Sequence, residues 1–309
     1  MNLPPLRIAT RKSTLAIWQA EHVAARLRAL APERTVELLP ISTQGDRNLQ
    51  DSLANIGGKG LFIKELEIAL AEGRAELAVH SMKDVPAELP DGFTISAVLE
   101  REDPRDALIS VRYAGFEDLP HRARIGSSSL RRQCQLLHRR PDLRVSALRG
   151  NVQTRLRKLE DGEFDAIILA VAGLKRLGMA DRITAILDTE TSLPAIAQGV
   201  IGIECRSDDT PTRDLVARLN HPPTWQRILG ERALNHALSG SCVVPLAGYA
   251  ELHGDQLQLR GRVGMPDGSR LIEASVSGPA AQAETLGRKL ADDMLAQGAG
   301  EVLRHVAGH

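Results

Sequence analysis

The sequence predicts an α/β protein with two doubly wound lobes, followed by a small C-terminal α+β domain with a three-stranded antiparallel sheet. The same helix-glycine-strand order occurs at residues 70–79 and 159–168, and this repetition indicates two lobes of like topology. After Pro222 and Pro223 the pattern changes to three short strands between two helices. Since βαβ units are common, independent convergence of the two patterns is the alternative to a repeat.

The first lobe begins with a short strand and a helix. Ser13 is the predicted N-cap of that helix, because its hydroxyl can accept a hydrogen bond from a free backbone N–H group. A long polar loop follows the second strand and suggests a mobile lid. The predicted elements are strands at 7–9, 36–41 and 75–79, helices at 15–30 and 61–70, and the lid loop at 42–60.

The second lobe is predicted to repeat this order. Serines 127–129 open its first helix, and Gly162 ends its second. The strand at 200–204 has no helix of this lobe after it, so we expect the chain to cross back and complete the first sheet. The predicted elements are strands at 124–126, 143–148 and 164–170, and helices at 130–137 and 152–160.

Connectors at 100–105 and 191–194 link the lobes and predict a hinge. This is the shape of two-lobed ligand-binding proteins, such as the type II periplasmic-binding proteins, which close around a small polar molecule. The predicted domains are 1–99 with 200–219, then 100–199, then 220–309. The third domain is expected to contain helices at 224–238 and 280–296 and strands at 246–252, 257–263 and 271–277.

The charge balance argues against a general nucleic-acid or membrane binder, because the formal net charge is zero. Seven of the 39 basic residues are lysine. The rest are arginine, whose planar guanidinium binds carboxylate and phosphate through paired hydrogen bonds. A codon bias toward arginine is the alternative explanation for most of them.

The sequence predicts neither a signal region nor a membrane span, since its longest apolar run, 166–174, is too short to cross a bilayer. We therefore expect a cytoplasmic protein. Cys134, Cys205 and Cys242 lack the spacing of a disulfide framework, zinc site or redox motif, so no metal is predicted. Cys242 lies in a turn of small residues, where a thiol can be reactive, although a small buried side chain is the commoner role.

Residues 80–86 (HSMKDVP) end a buried strand of the first lobe and organise the candidate site. Pro86 cannot continue the strand, so Lys83 and Asp84 should lie at the sheet edge where open α/β folds bind ligands. A solvated ion pair between these two neighbours is the alternative. Six arginines are expected at the same cleft: Arg11, Arg131, Arg132, Arg149, Arg155 and Arg176. Together these cations predict a ligand with several carboxylates or phosphates, and Asp84 is expected to be the only acid among them.

Four separated motifs resemble those of the porphobilinogen deaminase, or hydroxymethylbilane synthase, family over essentially the full length. The most specific, 231–247 (ERALNHALSGSCVVPLA), is similar to the family's cofactor-attachment signature. The others are 57–62 (GGKGLF), 80–86 and 194–199 (PAIAQG). The resemblance implies a transferase of porphyrin (heme) biosynthesis that joins four porphobilinogens head to tail, each losing ammonia, into the linear tetrapyrrole hydroxymethylbilane. It also implies a dipyrromethane cofactor, from which the chain grows. The acetate and propionate of every pyrrole account for the arginines.

The resemblance further implies a role for each candidate residue. Cys242 would carry the dipyrromethane through a thioether, and Asp84 would hydrogen-bond the pyrrole N–H groups and stabilise the cationic azafulvene formed as ammonia leaves. Lys59 and Phe62 would belong to the lid, where Asn55 replaces a lysine frequent in relatives. The cofactor would be held by Lys83, Ser129, Arg131, Arg132 and Arg155, and the substrate by Arg11, Ser13, Gln19, Arg149 and Arg176.

Two other functional classes are alternatives to this one. A soluble two-lobed anion-binding receptor or regulator domain accounts for the lobes and the arginines, but it gives no role to Cys242 or to the third domain. A nucleotide enzyme lacks support, because Lys59 is followed by Gly60 instead of the Ser or Thr of a P-loop. We expect a monomer that binds porphobilinogen and neither nucleic acid nor membrane.

Overall fold

The computed structural model describes residues 4–47, 62–238 and 244–307. The chain divides into two units, Met1–Arg101 with Val200–Trp225, and Glu102–Gly199 with Gln226–His309. Within the described ranges, none of the helices combines the length and the apolar character that a bilayer span requires.

The helices and strands are numbered in chain order. The strands are β1 (Leu6–Arg11), β2 (Val36–Ile41), β3 (Leu77–Ser81), β4 (Phe93–Val98), β5 (Asp106–Ile109), β6 (Arg124–Gly126), β7 (Arg144–Ser146), β8 (Ala166–Ala170), β9 (Ala185–Ile186), β10 (Ile201–Arg206), β11 (Leu246–His253), β12 (Gln256–Gly264) and β13 (Leu271–Pro279). The helices are α1 (Thr14–Leu30), α2 (Gln44–Arg47), α3 (Lys64–Ala71), α4 (Leu130–Arg139), α5 (Val152–Glu160), α6 (Val171–Arg176), α7 (Thr210–Ala217), α8 (Pro222–Ala237), α9 (Ala283–Ala296) and α10 (Ala299–Ala307).

The first unit contains a five-stranded sheet in the order β2-β1-β3-β10-β4. β1 is parallel to β2 and β3, whereas β10 runs antiparallel between β3 and β4. Neighbouring residues of β3 enter different cores: Val79 packs with Leu27 of α1, and Ala78 packs with Leu66 of α3. The predicted return of the strand at 200–204 to the first sheet is therefore confirmed.

β10 passes very close to the turn that follows β3. A Cβ atom on Gly202 would lie 2.1 Å from the sulfur of Met82, a side chain that is itself buried. Only glycine lets the two segments approach this closely without displacing Met82. The next two residues of that turn are Lys83 and Asp84. The packing of β10 against Met82 therefore fixes the position of the turn that carries them.

The second unit contains another five-stranded sheet, in the order β7-β6-β8-β5-β9. β6 is parallel to β7 and β8, and β5 is antiparallel to β8 and β9. Ile167 and Leu169 of β8 join one core, and Ala166 and Ile168 join the other. Both sheets thus place three parallel strands in the same order beside an antiparallel strand, which confirms two lobes of like topology.

A three-stranded antiparallel sheet, β11-β12-β13, also belongs to the second unit. It has a core of its own, to which α8, α9 and α10 contribute Leu234, Leu290 and Val302. The predicted strands are confirmed, each with one or two more residues than predicted. The predicted fold class is confirmed, whereas the boundaries of the three domains stay a prediction.

The end of the chain differs from the sequence prediction. The helix predicted from residue 280 begins at Ala283, because the chain first makes a 3-10 turn in which the Ala280 N–H donates to the Asp255 carbonyl. Gly298, with a φ of +97°, follows the end of α9. The chain then continues into α10, a helix that the prediction lacks.

Candidate active site

A cleft opens at the carboxyl ends of β1 and β3. Because these strands are parallel neighbours, Arg11 at the end of β1 and Ser81 at the end of β3 reach the same sheet edge. A 3-10 turn, Met82–Asp84, follows directly and brings Asp84 to the cleft wall. The polar and aromatic residues that line the cleft are Arg11, Ser13, Gln19, Phe62, His80, Ser81 and Asp84. Five residues predicted for the substrate, the chemistry or the lid therefore lie together.

The cleft side chains are held by local contacts. Ser13 caps α1 as predicted, with its Oγ accepting from the Ala16 N–H at 3.4 Å. Gln19 is buried and its Nε2 donates to Ser81 Oγ at 2.9 Å. The Arg11 guanidinium lies 4.1 Å from the centre of the Phe62 ring, a cation–π contact. The start of α1 thus presents a cation, a hydroxyl and a helix N-terminus to one cleft, a combination suited to an anion.

A buried acid–base cluster lies behind this cleft, under α3. His80 Nε2 is 2.7 Å from Glu204 Oε2, and both side chains are buried. Burial raises the pKa of Glu67 on α3 to about 7, with Glu204 adding to the shift and His80 opposing it. Sequence reasoning used His80 only as part of a motif and missed Glu204. The one signal for Glu204 was a carboxylate inside the apolar run of β10.

In the second unit, two predicted cofactor arginines share one buried carboxylate. Ser129 caps α4 and accepts from the Arg132 N–H at 3.4 Å. Arg131 Nη2 donates to Asp106 Oδ2 at 2.9 Å, and Arg132 Nη2 donates to Asp106 Oδ1 at 2.7 Å. The expectation that Asp84 is the only acid of the set is therefore wrong. Burial favours the neutral acid, but the two guanidiniums hold the pKa of Asp106 far below its usual value.

The two guanidiniums keep donors for a further ligand. Arg131 and Arg132 are 4% and 6% exposed, and both Nε atoms are buried. Among the described residues, neither Nε–H has an acceptor. A buried N–H of a charged group is costly to leave unpaired, and a carboxylate is its preferred partner. This pair therefore fits a ligand that carries carboxylates.

The remaining predicted arginines of this unit lie at two other places. Arg155, in the first turn of α5, donates from Nε to the Gly150 carbonyl at 2.8 Å, and Arg149 is half-buried just before that helix. Arg176 ends α6 and donates to the Gly199 carbonyl at 2.6 Å. Burial lowers the pKa of Arg176 to about 10, with Glu102 opposing the shift. Lys83, in the first unit, is half-buried in the turn beside Asp84.

Three positions singled out in the lid and the attachment turn, Lys59, Asn55 and Cys242, lie outside the described residues. The other two cysteines are buried. Burial raises the pKa of Cys134 to about 12 and that of Cys205 to about 11, so neither is a thiolate nucleophile at neutral pH. In the described ranges, no three His, Cys, Asp or Glu side chains are grouped to hold a metal ion.

Comparison with solved structures gives partial and distant matches. A periplasmic substrate-binding protein of an ABC transporter from Coxiella burnetii is 14% identical, with 71% of this chain and 94% of that chain covered and a TM-score of 0.44. The BvgS periplasmic VFT2 domain of Bordetella pertussis is 14% identical over 70% and 86%, with a TM-score of 0.42. A TRAP periplasmic solute-binding protein from Desulfovibrio salexigens is 13% identical over 70% and 72%, also with a TM-score of 0.42.

Comparison with protein families gives two matches that together span most of the chain. Residues 6–214 match the model described as porphobilinogen deaminase, dipyromethane cofactor binding domain. Residues 225–296 match the model of the porphobilinogen deaminase C-terminal domain. The enzyme is a hydroxymethylbilane synthase, EC 2.5.1.61, which makes hydroxymethylbilane from porphobilinogen with a dipyrromethane cofactor. The chain therefore belongs to the porphobilinogen deaminase family.

Proposed function

We propose that Asp84 is the catalytic carboxylate of this synthase and that Cys242 carries its dipyrromethane. The observation that carries the first assignment is the shared cleft, whose wall contains Asp84 together with Arg11, Ser13 and Gln19. A carboxylate beside anion-binding groups suits a substrate that is acidic at its edges and becomes cationic at its ring. The second assignment rests on the motif around Cys242 and on the burial of the other two cysteines.

Asp84 acts on the charge that develops as ammonia leaves. Loss of ammonia from porphobilinogen leaves a positive charge spread over the substrate pyrrole. A carboxylate held in place by a short turn stabilises that charge without having to reorganise during the reaction. Asp84 also accepts hydrogen bonds from pyrrole N–H groups, which orients the ring for the next bond.

The helix start at α1 holds the acidic side chains of the substrate. Arg11 and Ser13 lie at the N-terminus of α1, where free N–H groups and the helix dipole favour carboxylates. Gln19, fixed by Ser81, adds an amide to the same wall. Arg149 and Arg176 are assigned to the substrate as well, and Phe62 and Lys59 to the lid.

Residues of the second unit, together with Lys83 of the first, hold the cofactor in this proposal. When bound, dipyrromethane supplies the pyrrole end to which the substrate is joined. The free donors of Arg131 and Arg132 support binding of its carboxylates. Ser129, Arg155 and Lys83 complete the proposed set. Arg155 keeps its guanidinium against its own helix start through the Gly150 carbonyl.

Intact mass of the purified protein tests the attachment at Cys242. Wild type made in cells that supply porphobilinogen should exceed the mass of the 309-residue chain by one dipyrromethane. Cys242→Ala should have the mass of the polypeptide alone, whereas the buried-cysteine control Cys134→Ala should keep the extra mass. An unmodified wild type, or a modified Cys242→Ala, would refute the attachment.

Oligomeric state and location stay predictions of a monomer and of the cytoplasm. Sedimentation of the purified enzyme measures the first, and fractionation of the source cells measures the second. The family match includes residues 225–296, the C-terminal domain. An anion receptor gives this domain no role, so the synthase is the function that accounts for the whole match.

A further inference from the structure

Asp106 is the centre of a buried hydrogen-bond network in which both of its carboxylate oxygens are satisfied. It begins β5, has no exposed surface, and accepts from Arg131 and Arg132. Ser192 Oγ donates to its Oδ2 at 2.7 Å, and Gln198 Nε2 donates to its Oδ1 at 2.9 Å. Each carboxylate oxygen therefore accepts one hydrogen bond from a guanidinium and one from a neutral donor, and these four hydrogen bonds fix the plane of the carboxylate.

This arrangement also fixes the plane of each guanidinium. Arg131 Nη1 donates to the Leu193 carbonyl at 2.7 Å, and Arg132 Nη1 donates to the Ile168 carbonyl at 2.9 Å. With Nη1 and Nη2 both held, neither planar group can rotate. The Nε–H of each group is the donor for which the described residues supply no acceptor.

The charge of the network favours an anionic ligand. Two guanidiniums and one carboxylate leave one net positive charge in a buried place, and without Asp106 the two cations would repel each other at close range. A ligand carboxylate on the Nε edges would neutralise the remaining charge. Burial lowers the pKa of Arg131, and Asp106 opposes this shift, so the carboxylate also keeps the arginine charged.

We infer that Asp106 is a positioning residue for cofactor loading: it orients Arg131 and Arg132 so that their Nε edges receive carboxylates of the growing dipyrromethane. The inference rests on the proposed assignment of these two arginines to the cofactor. Asp106 itself does not touch the ligand, because its oxygens are already occupied by protein donors.

The antiparallel strand is what brings Asp106 to this place. In the β5–β8 pairing, Asp106 is opposite Ala170, at the carboxyl end of β8. Asp165, just before the other end of the same strand, pairs with Arg124 through Oδ1 at 3.2 Å. Asp165 is thus also paired with an arginine, but it lies at the opposite end of β8 from Asp106. It serves as the matched control.

The test is the rate at which apoprotein acquires its cofactor. Full-length wild type, Asp106→Asn and Asp165→Asn are made in cells that cannot synthesise porphobilinogen, then incubated with porphobilinogen. Intact mass follows the gain of dipyrromethane, and the melting temperature of each apoprotein is measured separately. Asp106→Asn should load at least about tenfold more slowly and need more porphobilinogen for its half-maximal rate, since one amide oxygen cannot orient two guanidiniums. Asp165→Asn should load at the wild-type rate.

The outcomes separate positioning from mere stability. If folded Asp106→Asn loads the cofactor within twofold of the wild-type rate, the inference is wrong. It is also wrong if Asp165→Asn loses as much melting temperature as Asp106→Asn and its loading is slowed as much. Failure of the wild type to load would instead refute the assignment of the cofactor. Should Asp106→Asn not fold, Ser192→Ala removes the hydrogen bond to Asp106 and the longer one, 3.4 Å, from Arg131 Nη1, and it keeps both ion pairs. It should load two- to fivefold more slowly, and unchanged loading would overturn the inference.

Discussion

At the scale of single residues, two carboxylates of the first unit have opposite environments. Asp84 is half-buried in the cleft wall, where a ligand can reach it. Glu204 is fully buried, and one of its oxygens is occupied by His80. Only the first can contact a substrate, so the chemistry of ammonia loss should depend on Asp84.

Asp84→Asn should fold and bind porphobilinogen, yet lose on the order of a hundredfold or more in turnover. Asparagine is nearly isosteric and keeps an acceptor oxygen, but it lacks the charge that stabilises the cationic pyrrole. Asp84→Glu keeps the charge in a displaced position and should retain more activity than asparagine. Single-turnover ammonia release measures both, with the exposed Asp91→Asn as control. Turnover of Asp84→Asn within a few-fold of wild type would remove Asp84 from the chemistry.

Residue roles that depend on neighbouring sequence were predictable, and those that depend on distant contacts were not. Ser13 could be identified as a cap because a cap involves only the next three residues. Asp106 follows a charged connector and looks like part of it. Its role depends on the pairing of β5 with β8, which no local pattern encodes.

At the scale of elements, α3 brings one titratable side chain against a buried acid–base pair of its sheet. Most contacts of this helix are apolar, as at Leu66 and Leu70. Glu67, in contrast, faces the buried pair His80 and Glu204. The stability of this helix–sheet contact should therefore depend on pH.

Glu67→Gln should stabilise the protein at pH 8 and leave its stability unchanged near pH 4. The folded pKa of about 7 lies above the ordinary value of 4.5, so the folded state binds the proton more tightly. The stabilisation is complete below about 4.5 and is lost as the pH rises through 7. Glutamine mimics the protonated acid at every pH. The gain at pH 8 should be on the order of 1 kcal/mol after solvent screening.

Urea unfolding of wild type and Glu67→Gln at the two pH values measures this difference. Glu72→Gln, on an exposed side chain just after the same helix, is the control. A Glu67→Gln variant that is no more stable than wild type at pH 8 would show that the carboxylate is not penalised there.

At the scale of the whole molecule, cations are distributed over both units. Arg11 belongs to the first, whereas Arg132 and Arg176 belong to the second and differ in their surroundings. Arg132 is bound to a carboxylate and retains a buried donor. Arg176 is bound to a carbonyl at the end of a short helix. We therefore expect the two to serve different stages of the reaction.

Arg132→Leu should yield mostly apoprotein, because buried cofactor carboxylates would lose their partner. Arg176→Leu should keep the cofactor and stall elongation. Mass spectra of the purified variants, before and after addition of porphobilinogen, distinguish the two results. The exposed Arg304→Leu is the control. If both variants behaved like this control, the proposal of a cleft that binds several carboxylates would be wrong.

The overall topology was more predictable than the ends of its elements. Glycine stops and apolar runs recur in both lobes, so the parallel strands could be identified from the sequence. The isolated strand at 200–204 indicated the return to the first sheet. α10 was missed because the prediction ended with α9, although Gly298 allows the chain to turn into another helix.

The position of β10 has a consequence for the order of synthesis. β10 is made after residue 200 and yet lies between β3 and β4, which are complete by residue 98. While the ribosome makes the intervening hundred or so residues, the nascent first sheet has a gap where its fourth strand belongs. β3 and β4 then each expose an unpaired edge, the feature through which incomplete chains associate with one another. The sheet of the first unit is thus complete only after the parallel strands of the second have already been translated.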